Sequence, residues 1–349
     1  MVADVSKRPL HFLSRIPRPV RVLIGIALSA ALWILIGDRI SEFRVTQGSS
    51  VAAYALAIIS IVMLTGYSGQ VSLGHGAFLA VGAYACALFL VNLHWPIWLS
   101  FFVSVLAAAG VGAIVGIAAA RLSGPYLAGT TLAFAVGVPS ISGLVNILGG
   151  EQGISWDAVE QYSPPSRYGD PYIFLNKWVY WICGAALILG IALAVNITRS
   201  RYGRIWRAVR ADESAAALAG INVARSKILA FAVSAGFAGF AGAILSVTLS
   251  SVAPSTFGLS LSFFILTGAV IGGVRSIYGA FIGALALVIL PMISDMIASN
   301  ASESIHTNLP GVITGVLLVL TVLFNPGGTA AAFNHLAHGL HSKGRNSAP

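Results

Sequence analysis

Residues 65–78 read Thr-Gly-Tyr-Ser-Gly-Gln-Val-Ser-Leu-Gly-His-Gly-Ala-Phe. The run sets Tyr67, Ser68, Gln70, Ser72 and His75 between two apolar stretches, and Gly66, Gly69, Gly74 and Gly76 interrupt it. Irregular backbone at membrane depth is tolerated where it lines a cavity or is buried in protein. Transporters use such breaks to present free backbone groups to polar solutes. His75 is the ionisable residue of the run, and intramembrane ionisable residues are functional candidates. These five side chains are therefore candidates for a translocation path. The same residues also fit a tight turn at a membrane surface, with His75 hydrogen-bonded locally. Bond-making chemistry is not in view. Gly69 and Gly74 have the spacing of a phosphate loop, but His75 and Gly76 stand where Lys and Ser or Thr are required. Gly66-Tyr-Ser-Gly lacks the second spacer of a nucleophile elbow, and no His-Glu-x-x-His occurs.

A second constellation lies at 200–223. Arg204, Arg207 and Arg210 precede Asp212-Glu213-Ser-Ala215-Ala216-Ala217-Leu-Ala-Gly220, and Ile-Asn-Val follows. Asp212 and Glu213 suit the first turn of a helix, where the dipole favours negative charge. The alanines are strong helix formers, and Gly220 suits the left-handed residue that ends a helix. Asn222 or Ser226 can start the next helix. The pattern predicts a short, smooth helix parallel to the membrane surface, with small side chains suited to insertion into a cleft on another protein. A connector that rests its arginines at the lipid headgroups fits equally well.

The elements that must position these residues are membrane spans. The chain has 349 residues, of which 57% are hydrophobic and 9% charged. That charge is far below the roughly 25% of a soluble domain, so the bilayer is the solvent that fits. A span needs roughly 20 mostly apolar residues. Ten stretches qualify: 20–37, 48–66, 74–92, 97–120, 125–148, 177–198, 228–250, 260–274, 277–293 and 309–325. The expected fold is all-α, a polytopic bundle of about ten transmembrane helices. Its first span is read as an uncleaved helix behind a basic, proline-bearing N-terminus. Small-residue faces such as Gly112/Gly116, Gly236/Gly239/Gly242 and Gly279/Gly283 suit close packing of helices in lipid. Cys86 and Cys183 fall inside apolar segments and read as buried small hydrophobes.

Basic residues set the orientation. With a cytoplasmic N-terminus and ten crossings, 16 of the 20 Lys and Arg fall inside, and 8 of the 11 Asp and Glu fall outside. Shifting the count by one span destroys this asymmetry, so both termini are expected in the cytoplasm. The organisation read from sequence is a cytoplasmic segment 1–19, a membrane domain 20–326 and a cytoplasmic tail 327–349. Within the membrane domain, 149–176 is the outer loop and 199–226 the inner one. The outer loop, with Trp156, Tyr162 and Pro164-Pro165, is expected to fold over the outer face.

Four stretches carry a family resemblance. Glu213, Ala215, Ala216 and Gly220 match the Glu-x-Ala-Ala-x-x-x-Gly loop of ABC importer permeases. Around it, Ser200, Gly203, Arg204, Ala208 and Arg210 lead in, and Lys227, Ala230 and Phe231 follow. Thr65–Phe78 with Gly82-Ala-Tyr84, Ser123–Ala128 with Thr131-Leu132, and Ile271-Gly-Gly-Val-Arg-Ser-Ile-Tyr-Gly279 agree. The chain resembles the branched-chain amino acid permease family over roughly residues 50–328, and its long N-terminal extension fits the longer of that family's two permease types. It departs in having Arg275 where Gly is frequent, and Leu148-Gly149-Gly150 where Thr-Gly-Gly is usual.

The resemblance implies a transport subunit of the bacterial inner membrane, not an enzyme. It implies a second permease subunit, two ATP-binding cassette ATPases that hold ATP and Mg, and a periplasmic substrate-binding protein. No nucleic acid, and no metal or cofactor on this chain, is expected. Arg204, Arg210, Glu213, Ala215, Ala216 and Gly220 would couple it to the ATPases. The cargo would be branched-chain or related amino acids, with urea, short amides or other small carboxylates as alternatives on the same machinery. An ion-coupled secondary transporter is a different class, one that usually places Asp, Glu or Lys inside its spans. An intramembrane enzyme would need an acid–base or nucleophile constellation.

Overall fold

A computed structural model describes residues 18–39, 42–122, 124–162, 171–298 and five positions between 312 and 320. Its helices are α1 (Arg18–Arg39), α2 (Glu42–Ile61), α3 (His75–Ala87), α4 (Ile97–Ala119), α5 (Pro125–Leu144), α6 (Ala158–Tyr162) and α7 (Pro171–Arg199). They continue as α8 (Arg201–Ala211), α9 (Glu213–Leu218), α10 (Val223–Leu249), α11 (Leu259–Gly272) and α12 (Ile277–Ala298). Helices α2 and α3 each run on into a π-helical turn, Val62–Tyr67 and Leu88–Asn92.

Six stretches are long and apolar enough to cross a bilayer: Arg44–Tyr67, His75–Asn92, Ile97–Ala119, Tyr126–Leu144, Leu175–Arg199 and Val223–Leu249. Ala27–Gly37, Leu259–Gly272 and Ile277–Ile293 are apolar but shorter. The first nine stretches read from sequence thus fall on helices, six of them of spanning length. The tenth, 309–325, lies largely outside the described residues, as do segment 1–17, Ser123, Pro164-Pro165 and the tail 327–349.

Helix α10 is the hub, packed by α4, α3 and α2. Small residues allow this, since apolar burial gives helices already in lipid no reason to associate. A Cβ on Gly82 would run into the backbone of Gly239, and one on Gly239 would meet Ala108. Gly242 lies against the Leu79 carbonyl, Gly112 against Ala235, and Gly283 of α12 against the Gly268 carbonyl of α11. Cys86 and Cys183 are buried within this packing. The outer helices show large apolar side chains instead, such as Phe102, Leu106, Ile114 and Ile117 on α4. Helix α1 is pinned to α7 by Trp33, whose indole stacks on Tyr180 at 4.7 Å and donates to the Tyr180 carbonyl at 3.1 Å.

The bundle has two unlike ends. At one, Ile154–Ser155 pairs antiparallel with Ser251–Val252, in the register Ile154 to Val252. This two-stranded clasp draws the loop after α5 across to the connection between α10 and α11. The other end gathers the elbow 62–74, helices α8 and α9, and the α11–α12 turn at Gly273–Ser276.

Candidate functional site

The elbow begins where α2 widens into its π turn. The Gln70 N–H reaches back to the Leu64 carbonyl at 3.3 Å, and the Thr65 hydroxyl donates to the Gln70 carbonyl at 3.1 Å. Gln70 Nε2 donates to the Ser68 hydroxyl at 2.6 Å. Gly69 turns the chain with φ +78°, a conformation glycine adopts without strain. Leu73 N–H then donates to Thr131 Oγ1 of α5 at 3.0 Å, and Gly76 N–H to Ser262 Oγ of α11 at 2.9 Å. The elbow is thus fixed to helices on two sides.

His75 opens α3 and is completely buried. Its Nε2 lies 3.0 Å from Ser234 Oγ of α10, and that hydroxyl donates to the Ser60 carbonyl of α2 at 2.8 Å. A hydroxyl has one proton to give. Ser234 spends it on Ser60, so its oxygen accepts and His75 Nε2 carries the hydrogen. His75 therefore fastens three helices. Among the described residues its Nδ1 has no hydrogen-bond partner, nor has Gln70 Oε1. Of the five translocation-path candidates, Ser68, Gln70, Ser72 and His75 are buried and Tyr67 is half-buried. They share one segment but turn mostly inward against the bundle. Val71 is the exposed side chain between them, at 47%.

The inner loop folds into two helices rather than the single one expected. Ser200 caps α8, its hydroxyl accepting from Tyr202 N–H at 3.2 Å. Gly203 is needed because a Cβ there would strike the Thr198 carbonyl at the tight turn out of α7. Trp206 and Val209 are buried beneath the bundle, while Arg201, Arg204 and Arg207 face out. Arg204 reaches back to the Arg199 carbonyl at 3.4 Å, a cation placed at the negative end of α7.

Asp212 joins α8 to α9. Its N–H donates to the Ala208 carbonyl at 3.1 Å and its Oδ1 accepts from Ala215 N–H at 3.0 Å. It is the cap rather than a first-turn residue. Helix α9 ends as its sequence predicts. Gly220 is left-handed at φ +81°, its N–H donates to the Ala217 carbonyl at 2.9 Å, and Ile221 N–H donates to that of Ala216 at 3.0 Å. Asn222 Oδ1 accepts from Arg225 N–H at 2.9 Å and starts α10.

Within α9, Ala216 turns inward and is buried, whereas Ala215, Ala217 and Leu218 face out. Leu218 is 90% exposed. Glu213 is tied down by the Lys227 ammonium, 2.8 Å from each of its oxygens, and Lys227 is itself only 6% exposed. Arg210 turns under the bundle and donates to the Gly66 carbonyl of the elbow. Burial, and then the Arg275 guanidinium nearby, hold its pKa below the usual arginine value.

Sequence reasoning named Glu213, Ala215, Ala216, Gly220, Arg204 and Arg210, and the structure sets all six in or beside this helix pair. It missed Leu218 as the exposed apolar tip. It also missed Ser234, Thr131 and Ser262 as anchors of the elbow. Leu218 follows from the period of α9 once Ala216 is set inward; the three anchors lie 58 to 186 residues away from their partners and leave no local signal. Among the described residues no cluster of His, Cys, Asp or Glu could hold a metal ion.

The model of a protein family described as "Branched-chain amino acid transport system / permease component" matches residues 47–322. The high-affinity branched-chain amino acid transport system permease protein LivM of Escherichia coli is 29% identical over 334 residues, covering 88% of this chain and 73% of that protein. LivH of the same organism is 29% identical over 302 residues, covering 81% and 92%. A probable LivM from Methanocaldococcus jannaschii is 26% identical over 226 residues, covering 62% and 63%. No solved structure matches.

Proposed function

This chain belongs to the family of permease components of branched-chain amino acid transport systems, and we propose that it is the membrane path of an ATP-driven importer for leucine, isoleucine, valine or related amino acids. It is a multi-pass membrane protein and a transport subunit. ATP and Mg bind on two partner ATPases, a second permease completes the path, and a periplasmic binding protein delivers the solute. The arginine-rich end, with the elbow and α9, faces the cytoplasm. The clasped end, with the loop after α5, faces the periplasm.

The observation that carries this reading is α9. It is capped at both ends, tied at its base by Lys227 to Glu213, and offers Ala215, Ala217 and Leu218 to solvent. A short rigid helix with a small apolar tip suits a cleft on an ATPase. Closure of the ATPases on ATP then drives the bundle between outward-open and inward-open states. No Asp or Glu falls in the six long spans, and their two lysines, Lys177 and Lys227, stand near span ends, Lys227 paired with Glu213. An ion-coupled carrier would ordinarily carry such residues within its spans.

The test is uptake into proteoliposomes that hold the whole complex. Labelled leucine, isoleucine and valine are offered with the binding protein, beside urea and acetamide. Uptake of the three amino acids that requires ATP and stops with vanadate is expected. Vanadate-insensitive uptake that collapses with an uncoupler would sink the reading. ATP-dependent uptake of urea or acetamide alone would keep the machine and change its cargo.

A further inference from the structure

In the last turn of the run that ends α2, the Gly66 carbonyl has no helical partner. In an α-helix the Gly66 carbonyl would accept from Gln70 N–H. Here that N–H donates to Leu64 instead. A carbonyl at such a site needs another donor, and the donor is Arg210, which arrives from α8. The stem of Arg210 packs on Gly69, which has no side chain to block it. Gly66 lies at the same time against the Val274 carbonyl of the α11–α12 turn. Three sequence blocks thus meet at Gly66: the elbow, the turn between α11 and α12, and the helix pair of the inner loop.

Arg210 stands two residues before Asp212, whose side chain caps α9 and whose N–H closes α8. One residue, Asp212, joins the two helices. We propose that Arg210 is the positioning residue through which displacement of α9 reaches the elbow, by its hold on the Gly66 carbonyl. This rests on α9 as the ATPase-docking helix and adds the route by which the elbow follows it. A second tie, from Glu213 to Lys227, carries the same displacement into α10. The elbow and α10 are themselves joined through His75 and Ser234. Movement of α9 therefore acts on both sides of the α2–α3 break.

The route predicts loss of coupling rather than loss of assembly. The measurement is leucine imported per ATP hydrolysed by the reconstituted complex. Arg210→Gln is expected to lower that ratio about tenfold, as a coupling residue should, and Arg210→Lys to recover part of it. A covalent tie should stand in for the guanidinium. A Cβ built on Gly69 lies 3.3 Å from the Arg210 Cβ, a few tenths short of the roughly 3.5–4.5 Å of a disulfide. A cysteine at φ +78° is strained, so the reduced double variant, which carries the same strain, is the reference for the oxidised one. In Gly69→Cys/Arg210→Cys, oxidation is expected to raise the ratio above that of the reduced protein. An unchanged ratio in Arg210→Gln, or uptake and hydrolysis falling in parallel, overturns the proposal. So does an oxidised double variant that hydrolyses ATP without importing, because elbow and helix would then have to slide past each other. Should Arg210→Gln not assemble, the oxidised pair decides alone. Failure of a Leu218→Cys cross-link to the ATPase in the parent complex would instead remove the docking reading itself.

Discussion

The Lys227 ammonium lies 2.8 Å from both carboxylate oxygens of Glu213, and the two ends of that pair sit in different solvents. The lysine side chain is 7% exposed and the glutamate 54%. Their loss is therefore unequal. Glu213→Gln leaves a buried ammonium with a weaker partner and should cost about 1–3 kcal/mol. Lys227→Met leaves a carboxylate that water can solvate, and should cost about 1 kcal/mol or less. The double variant should cost less than the sum, with a coupling of at least about 0.5 kcal/mol. Denaturation midpoints of the purified chain in detergent check both the order and the coupling.

Leu218 and Ala216 are two residues apart on α9 and face opposite ways, 90% exposed and 5% exposed. A cysteine at 218 should cross-link to a docked ATPase, and one at 216 should react several-fold more slowly. Leu218→Glu should release the ATPases on purification, because a buried charge at the centre of an interface costs several kcal/mol. Equal cross-linking from both positions would mean that α9 rolls or unfolds when it docks.

Gly239 faces Gly82 and Ala108 at once, where α3, α4 and α10 meet. Gly239→Val must separate three helices or displace backbone. A loss of about 1–3 kcal/mol, the usual cost of overpacking, should appear as a lower melting temperature. Gly236, four residues from Phe240 on the same helix, has only ordinary contacts at 3.4 Å and beyond. Gly236→Ala should be close to neutral in the same assay.

Most of this architecture is legible in single residues. Apolar length marked the spans, because lipid admits few other solutions. The end of α9 and the start of α10 were readable because Gly and Asn each do one thing at a helix end, whereas Asp212, read as a first-turn residue, proved to be the N-cap. The site was less legible. The sequence marked the elbow as irregular, since its glycines break the apolar run. It could not say that Ser68, Gln70 and Ser72 turn inward, because those choices are made by partners far along the chain. Arg210 was visible as the last arginine of the run that leads into α9. That it looks away from the docking surface, toward Gly66, depends on a free carbonyl far along the chain, which no local pattern announces.

His75 is the residue on which the remaining choice turns. Its Nε2 is the donor that Ser234 can accept, so a side chain that keeps a donor at that depth should keep the tie. Gln reaches about as far as Nε2 and Asn does not. His75→Gln should therefore be the more stable of the two, by about 1 kcal/mol, the net value of one buried hydrogen bond. Stability alone leaves the transport role undecided, since a packing residue and a path residue would both show this order. Accessibility separates them. In a complex trapped without nucleotide, a cysteine at Val71 should react with a membrane-impermeant maleimide and one at His75 should not, given 47% and 0% exposure. The native Cys86 and Cys183 are buried and give a low background. A path residue must meet water at some stage of the cycle, so the cysteine at 75 should become reactive during ATP turnover. If it stays unreactive while leucine is being imported, His75 belongs to the packing of α2, α3 and α10, and the path runs along another face of the elbow.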